Sequence, residues 1–545
     1  MSKMIELIKK RVYDKGVLKV LSEMAIFILK ICLFPVSFYL LYIGIRASYY
    51  SARDYNQYIY AVQDSIAVHI GVFIFLEMSV FVLQWIKGYV KDKIPKESFW
   101  SHQENFCKIV LILSCFLLVI AEYFYVREHP YYPSGDQLNT TAGSVYAREG
   151  NYLMFTKGGY IGLYEQQKGL LFLYEILFSI FGDFRYDITS KFHICLSVIT
   201  LLSGYSFLKI VMKRPVYRIL YCGMMVCCLP CIIYLPYAYG DLPAICFSMV
   251  LFWALAAYGE QMKKRYLICA CLMAAFALLM RMHIWVVLIA AGIGLLLLSL
   301  EKKTFRPILA ALCVVLVAQG AVKGVDKMYE YRSGYESGVG IPYILWIAMG
   351  LQETDGNPGI YNRYQQSVFG DCDFNQEAAE KIGKEYIAAR LEELKENPAY
   401  ARYFFTTKIK MQWTEPLFQG LYETHSFKED TVIPKFYESL YYGEIHDTVW
   451  KFANYYQSVV YISLFVFVSM SFKKSKTVGI VGWIPLIAVL GGFLFSIIWE
   501  NKCRYVMPYY VYIILYAPVG IVFIADCMRK LIRIGMKRMK VMKVI

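Results

Sequence analysis

The sequence predicts an all-α integral membrane protein with about twelve transmembrane helices. The chain has 545 residues, of which 58% are hydrophobic and 17% aromatic, and its mean hydropathy is +0.43. Apolar runs of about 20 residues, long enough to cross a bilayer as a helix, recur from end to end. Short clusters of Lys and Arg separate these runs, as cytoplasmic loops do, so the net charge of +15 reports topology and does not indicate nucleic acid.

The predicted spans alternate between loops that are rich and poor in Lys and Arg. They cover about residues 24–46, 65–85, 107–126, 187–210, 217–235, 242–258, 266–281, 284–300, 306–323, 453–471, 478–497 and 506–526. The basic N-terminal segment 1–23 has no cleavage site of small residues, so we expect it to stay in the cytoplasm. Every basic cluster then obeys the positive-inside rule. The sequence therefore predicts a multi-pass plasma membrane protein with both termini cytoplasmic.

Two segments outside these spans complete the predicted organisation. Residues 168–182, in the outer loop 127–186, are apolar but too short to cross, so they predict an interfacial or re-entrant helix. Residues 324–452 are rich in Tyr, Glu and Lys and predict a mixed α extracytoplasmic domain, with an amphipathic surface helix at 377–398. The predicted divisions are an N-terminal addition of two spans, a membrane core, the extracytoplasmic domain, and three final spans with a basic tail, at 1–106, 107–323, 324–452 and 453–545.

Charged and polar residues from six separate segments fall at the predicted outer membrane surface. They are Asp136 and Gln137; Glu165, Gln167 and Lys168; Asp241; Arg281 and His283; Lys408 and Glu415; and Glu500, Lys502, Arg504 and Tyr505. Charge near hydrocarbon is costly unless it is paired or solvated, so such groups tend to be functional.

Carboxylates beside several cations at a membrane surface suit a phosphorylated lipid. Lys and Arg bind phosphate, Arg in bidentate fashion, and they would stabilise a lipid phosphate as leaving group. A carboxylate within reach of an attacking hydroxyl would take its proton. We therefore expect transfer of a sugar from a polyprenyl phosphate carrier to an acceptor hydroxyl.

The loop after the third span resembles that of a known family. It begins with Asp136 and continues through A-R-E-G-N-Y and then Y-E-Q-Q-K-G-L-L-F-L-Y-E-I-L-F-S-I-F-G, while W-I-A-M-G and R-Y-V-M-P occur at 346–350 and 504–508. This order resembles the bacterial GT-C glycosyltransferases related to protein O-mannosyltransferases. The resemblance covers roughly 107–526 and implies a GT-C core that uses a polyprenyl-phosphate sugar as donor.

The resemblance and the outer-surface residues together give a set of candidate site residues. The predicted catalytic residues are Asp136, as the general base, and Asp241. The predicted ligands of the donor phosphate are Arg281, His283, Lys502 and Arg504, and the predicted substrate-binding residues are Gln137, Glu165, Gln167, Lys168 and Tyr505. No cofactor is predicted with certainty. Whether the protein binds a divalent metal ion is left open, because some members of the superfamily bind one and others need none.

The chain departs from the family pattern at two positions. It has Asp136-Gln137 where Asp-Glu is usual, and Glu165-Gln166 where Pro-His is frequent. The acceptor is therefore left open between a protein hydroxyl, a wall polymer or other glycan, and a glycolipid.

Each main candidate also has a structural explanation. The segment PSGDQ around Asp136 has the composition of a hydrated turn. Asp241 would suit the N-cap of a helix that begins at Leu242, and Arg281 and His283 would suit interfacial anchors. The alternative functions are a transporter or lipid flippase, or a surface polysaccharide polymerase or ligase with a diphosphate-linked donor.

Overall fold

A computed structural model describes residues 16–51, 58–91, 96–473 and 478–542. In these ranges the chain is helical apart from loops and two antiparallel two-stranded sheets. Nine helices of the described chain are long and apolar enough to cross a membrane, so the fold is that of a multi-pass all-α membrane protein. The first fifteen residues of the predicted cytoplasmic N-terminus, and the basic residues Lys474 and Lys476, lie outside the described ranges.

The elements follow each other in three groups. The first group is α1 (Val17–Gly44), β1 (Ala47–Ser51), β2 (Ile59–Gln63), α2 (Ile66–Lys91), α3 (Lys96–Arg127), α4 (Gly135–Arg148), α5 (Tyr160–Leu163) and α6 (Lys168–Phe181), with 3-10 turns at Leu153–Phe155 and Glu165–Gln167. The second group is α7 (Tyr186–Val211), α8 (Pro215–Val226), α9 (Leu229–Ile233), α10 (Asp241–Gln261), α11 (Lys264–Met280), α12 (Ile284–Lys302) and α13 (Arg306–Ser333).

The third group holds the segment that we call the insert domain, residues 334–443, and the last membrane helices. The insert domain contains α14 (Tyr343–Gly350), β3 (Glu353–Thr354), β4 (Asn357–Pro358), α15 (Tyr364–Asp371), α16 (Gln376–Glu396), α17 (Pro398–Thr414), α18 (Gly420–Thr424) and α19 (Lys435–Tyr442). After it come α20 (Glu444–Lys473), α21 (Ile484–Ile498), α22 (Met507–Ile514) and α23 (Ala517–Met542), with 3-10 turns at Ile480–Trp483 and Cys503–Tyr505.

Nine of the predicted spans coincide with helices of membrane-crossing length and hydropathy. Of the others, 65–85 lies in α2, whose apolar described part is Ile66–Val82, and 266–281 is the 17-residue helix α11. The predicted span 217–235 is not one helix, because α8 ends at Val226 and Pro230, which has no N–H to donate, opens the separate helix α9. The count of about twelve spans stays a prediction.

Both predicted boundaries of the extracytoplasmic domain fall inside helices. Helix α13 continues past residue 323 to Ser333, and α20 begins at Glu444, before residue 453. Hydropathy marks only the apolar part of each helix. The polar end of α13 and the polar start of α20 are also helical, so these helices are longer than their apolar parts. The predicted surface helix 377–398 is confirmed as α16, which Asn375 caps at its N-terminus by accepting the N–H of Ala378.

The loop between α3 and α7 and the insert domain meet at one end of the helical bundle, which we call the site end. The backbone N–H of Tyr132 in the loop donates to the carbonyl of Ser426 in the insert domain at 2.9 Å. Helix α6 is tied to the end of α13, because Glu175 forms an ion pair with Arg332 at 2.7 Å and accepts a hydrogen bond from Tyr329 at 2.6 Å.

Two glycines allow neighbouring segments to touch the end of α11. A Cβ on Gly169, in the first turn of α6, would lie 2.2 Å from the carbonyl oxygen of Leu279. A Cβ on Gly240, just before α10, would lie 2.4 Å from the carbonyl oxygen of Met280. Only glycine allows backbones to approach this closely. These contacts fix the position of Arg281, the residue that follows α11.

The N-terminal addition is part of the bundle rather than an appendage. Its β1–β2 hairpin lies against α20, where Trp450 Nε1 donates to the carbonyl of Tyr49 at 3.2 Å and Asn454 Nδ2 donates to Ser48 Oγ at 3.1 Å. Asn454 also donates to Asp64, just after β2, at 2.9 Å. The addition therefore supports the helix that enters the membrane after the insert domain.

Candidate functional site

Residues at the ends of three apolar helices meet at the site end. Asp241 is the first residue of α10, and Arg281 follows α11 with an extended backbone that ends the helix. Lys502 and Arg504 lie after α21, where the chain forms a 3-10 turn rather than a helix. These helix ends bring their polar side chains into contact with one another.

Two arginines share one aromatic ring. The guanidinium of Arg281 lies 4.9 Å from the ring centroid of Tyr239, and that of Arg504 lies 5.0 Å from the same centroid. Both also lie over Tyr505, at 5.4 and 5.5 Å. The aromatic faces stabilise the cations through cation–π interactions, but they do not cancel the charge. The arrangement concentrates positive charge around two tyrosines.

Carboxylates balance part of this charge. Arg281 Nη2 lies 3.5 Å from Asp241 Oδ1, and the two side chains are 10% and 1% exposed. Glu423, in the insert domain, lies 3.0 Å from Lys502 Nζ and accepts a hydrogen bond from Arg504 Nη1 at 3.3 Å. We call the eight residues of this arrangement the cation cluster. Its members are Tyr239, Asp241, Arg281, Glu423, Glu500, Lys502, Arg504 and Tyr505.

The electrostatics of the cluster keep Lys502 charged. Burial alone would lower the pKa of Lys502, but the charges of Glu423 and Glu500 raise it well above its usual value. Burial raises the pKa of Glu500, which accepts a hydrogen bond from Tyr505 Oη at 3.1 Å. Burial also raises the pKa of Tyr505 to about 12, so this phenol stays protonated at neutral pH.

Asp136 lies beside the cluster and is exposed. It occupies the first turn of α4, where a negative charge is favoured by the helix dipole, and its own carbonyl accepts a hydrogen bond from Thr140 at 2.8 Å. Burial raises the pKa of Tyr239, and the charge of Asp136 raises it further. The same charge acts on Glu500. Asp136 is therefore a carboxylate near the cluster that faces solvent.

Asp241 does not cap a helix in the way the sequence allows. It lies within α10 itself, after Gly240, and neither of its carboxylate oxygens has a hydrogen-bond partner among the described residues. Its main interaction is therefore the ion pair with Arg281. Because a buried carboxylate without hydrogen bonds is costly, Asp241 has unused capacity to accept from a ligand or from water.

His283 is neutral at physiological pH. Burial, together with the neighbouring charge of Arg281, lowers its pKa to about 3. Its ring meets Tyr509 edge to face at 6.1 Å, and its buried Nε2 has no hydrogen-bond partner among the described residues. His283 would therefore contact a phosphate as a neutral hydrogen-bond donor and not as a cation.

The predicted substrate-binding residues fall into two groups. Tyr505 belongs to the cluster, and Gln167 donates a hydrogen bond to Tyr239 Oη, which orients that ring. Gln137 Oε1 accepts hydrogen bonds from Tyr131 Oη and, at 3.0 Å, from the N–H of Ala238. Gln137 and Gln167 thus hold the segment that carries Tyr239.

Glu165 and Lys168 are turned toward the insert domain. Glu165 accepts the backbone N–H groups of Gly338 and Val339 at 2.5 and 3.0 Å, and Lys168 Nζ donates to Ser337 Oγ at 2.9 Å. Both side chains therefore hold residues 337–339 in place. It does not place them among the residues of the cation cluster.

Sequence reasoning missed two residues of the cluster. Tyr239 lies two residues before Asp241 in YAYGDLP, so its position next to a candidate acid was a usable signal. Glu423 is one acidic residue among many in the insert domain, and its contact with Lys502 and Arg504 depends on tertiary structure alone.

The donor set of the site does not form a recognisable metal centre. Within the described ranges, no three His, Cys, Asp or Glu side chains are grouped closely enough to hold a metal ion.

Comparison with known proteins gives no family for the chain. No protein-family model and no curated protein matches it.

Proposed function

We propose that the protein is a membrane glycosyltransferase that moves a sugar from a polyprenyl-phosphate donor to an acceptor hydroxyl at the extracytoplasmic membrane surface. The observation that carries this proposal is the placement of Arg281 and Arg504 over the one ring of Tyr239, with Lys502 beside them. Three cations at the ends of apolar helices suit an anion that is attached to an apolar chain. A lipid phosphate has these two properties.

The cations would act on the leaving group. When the acceptor oxygen attacks the anomeric carbon, the bond from that carbon to the phosphate oxygen breaks and its electron pair stays on the phosphate. Arg281, Lys502 and Arg504 would stabilise that charge, which is the most effective use of preorganised cations in a site with little water. Tyr505 and Tyr239 hold the guanidiniums in place before the donor arrives.

Asp136 would act on the acceptor. It is the exposed carboxylate near the cluster, so it can accept the proton of the attacking hydroxyl without having to break an ion pair first. Asp241 already pairs with Arg281, so its role would be to hold that guanidinium. A single displacement of this kind inverts the anomeric centre.

Turnover by the purified wild type tests the donor class. The protein in detergent would be offered radiolabelled polyprenyl-phosphate hexoses together with a membrane extract as the source of acceptor. We expect protein-dependent release of free polyprenyl phosphate and transfer of label to acceptor. A panel of such donors that binds without any turnover would contradict the proposal, and lipid movement across liposomes would then favour the flippase.

A further inference from the structure

Glu423 links the insert domain to two cations of the site. It lies in α18, and its side chain is 8% exposed. Its two carboxylate oxygens reach different partners, Lys502 Nζ at 3.0 Å and Arg504 Nη1 at 3.3 Å. Because these groups are largely shielded from water, their charges are weakly screened and act strongly on any anion beside them.

The formal charges of these residues add up to a small positive number. Lys502 and Arg504 are both cations, and Glu423 cancels one of the two charges. The nearby pair of Arg281 and Asp241 is neutral as a pair. Lys502, Arg504 and Glu423 together therefore carry one net positive formal charge.

This charge matches one class of lipid-linked sugar better than another. A sugar linked through one phosphate is a diester with a single negative charge, whereas a sugar linked through a diphosphate carries two. A buried site with one net positive charge balances the first and leaves the second with an uncompensated charge, which is costly in a poorly solvated site.

On the basis of the function proposed above, we propose that Glu423 is a positioning and specificity residue for the donor. It holds Lys502 and Arg504 toward the phosphate, and by cancelling one of their two charges it makes the site select a monophosphate-linked sugar over a diphosphate-linked sugar.

Binding measurements with two matched lipids test this inference. The probes are a polyprenyl-phosphate hexose and a polyprenyl-diphosphate hexose with the same chain and the same sugar, and Kd is measured for each on the full chain in detergent. We expect Glu423→Gln to shift the ratio of the two Kd values toward the diphosphate by roughly tenfold. Glu423→Asp, which keeps the negative charge, should have the same Kd ratio as the wild type. A purely structural role would not move this ratio.

Two further variants complete the design. Glu429→Gln removes the same charge from an exposed position of the insert domain and should leave the ratio unchanged. Lys502→Gln, at a side chain that is 24% exposed, removes a positive charge and should shift the ratio toward the monophosphate. It tests the inference from the opposite direction even where Glu423→Gln does not fold.

The outcomes separate this inference from the proposed function. If both lipids bind and the Kd ratio is the same in wild type, Glu423→Gln and Lys502→Gln, the role of Glu423 is overturned while donor binding stands. If neither lipid binds the wild type, the proposed function fails and the inference fails with it.

Discussion

At the scale of single residues, Arg504 shows why the cation type matters. Its guanidinium lies over Tyr239 and also donates a hydrogen bond to Glu423. A planar guanidinium can stack on a ring and donate from its edge at the same time, whereas an ammonium group presents its charge as a point. Arg504 can therefore offer a phosphate a fixed pair of donors.

Arg504→Lys keeps the charge but removes this geometry. We expect the rate of sugar transfer to fall by at least about tenfold, because lysine cannot hold the phosphate in bidentate fashion while it stacks on Tyr239. The measurement is kcat/KM for a polyprenyl-phosphate hexose. Arg402→Lys, at an exposed position of α17, is the matched control and should keep the wild-type rate. Equal rates for both variants would show that charge alone is needed at residue 504.

The polar residues of the site differ in how far the sequence could reveal them. Arg281, Lys502 and Arg504 follow apolar runs, so hydropathy and the positive-inside rule predicted them at one surface. Glu423 has no such signal, because many acidic residues of the insert domain are simply solvated. Glu165 and Lys168 belong to the same sequence motif as Gln167, but they contact residues 337–339, whereas Gln167 contacts Tyr239. Only the tertiary structure shows which residues of the motif reach the cluster.

At the scale of elements, α6 positions the site through one close contact. Gly169 lies against the carbonyl of Leu279, two residues before Arg281. The sequence predicted α6 as a short helix that does not cross, and the structure confirms a 14-residue helix there. Its direct contact with the end of α11 could not be predicted, because a glycine in a helix gives no indication of which backbone approaches it.

Gly169→Ala should displace α6 from α11. The added Cβ would lie 2.2 Å from a backbone oxygen, so one of the two helices must move. We expect sugar transfer to fall by roughly ten- to a hundredfold, because small displacements of positioned groups cost that much. The thermal unfolding midpoint should fall as well. Gly370→Ala, in α15, has nothing within 4 Å of its added Cβ and serves as control. Wild-type activity in Gly169→Ala would contradict the proposed position of α6.

At the scale of the whole molecule, topology decides whether the site can meet its substrates. Hydropathy located nine helices of membrane-crossing length in the described chain, and the boundaries it predicts for the extracytoplasmic domain, residues 324 and 452, lie inside α13 and α20. The positive-inside rule, which also underlies the predicted count of about twelve spans, predicts that the insert domain and the cation cluster lie outside the cell.

Cysteine labelling of intact cells tests that orientation. Glu392→Cys places a thiol on the exposed face of α16, where the native side chain is 67% exposed. Glu301→Cys places one at the opposite end of α12, also at an exposed position. We expect a membrane-impermeant thiol reagent to label the first variant above the wild-type background in intact cells, and the second only after permeabilisation. The reverse pattern would put the site in the cytoplasm.

The most direct test of the central claim is a comparison of the wild type with Asp136→Asn. Both proteins, purified in detergent, would be given the same polyprenyl-phosphate hexose, and donor Kd and release of polyprenyl phosphate would be measured together. Asp371→Asn, at an exposed position of the insert domain, is the matched control. We expect unchanged donor binding in Asp136→Asn, with transfer at least about a hundredfold slower than in the wild type and the control. Full activity of Asp136→Asn would contradict the assignment of Asp136 as the base and, with it, the proposed site.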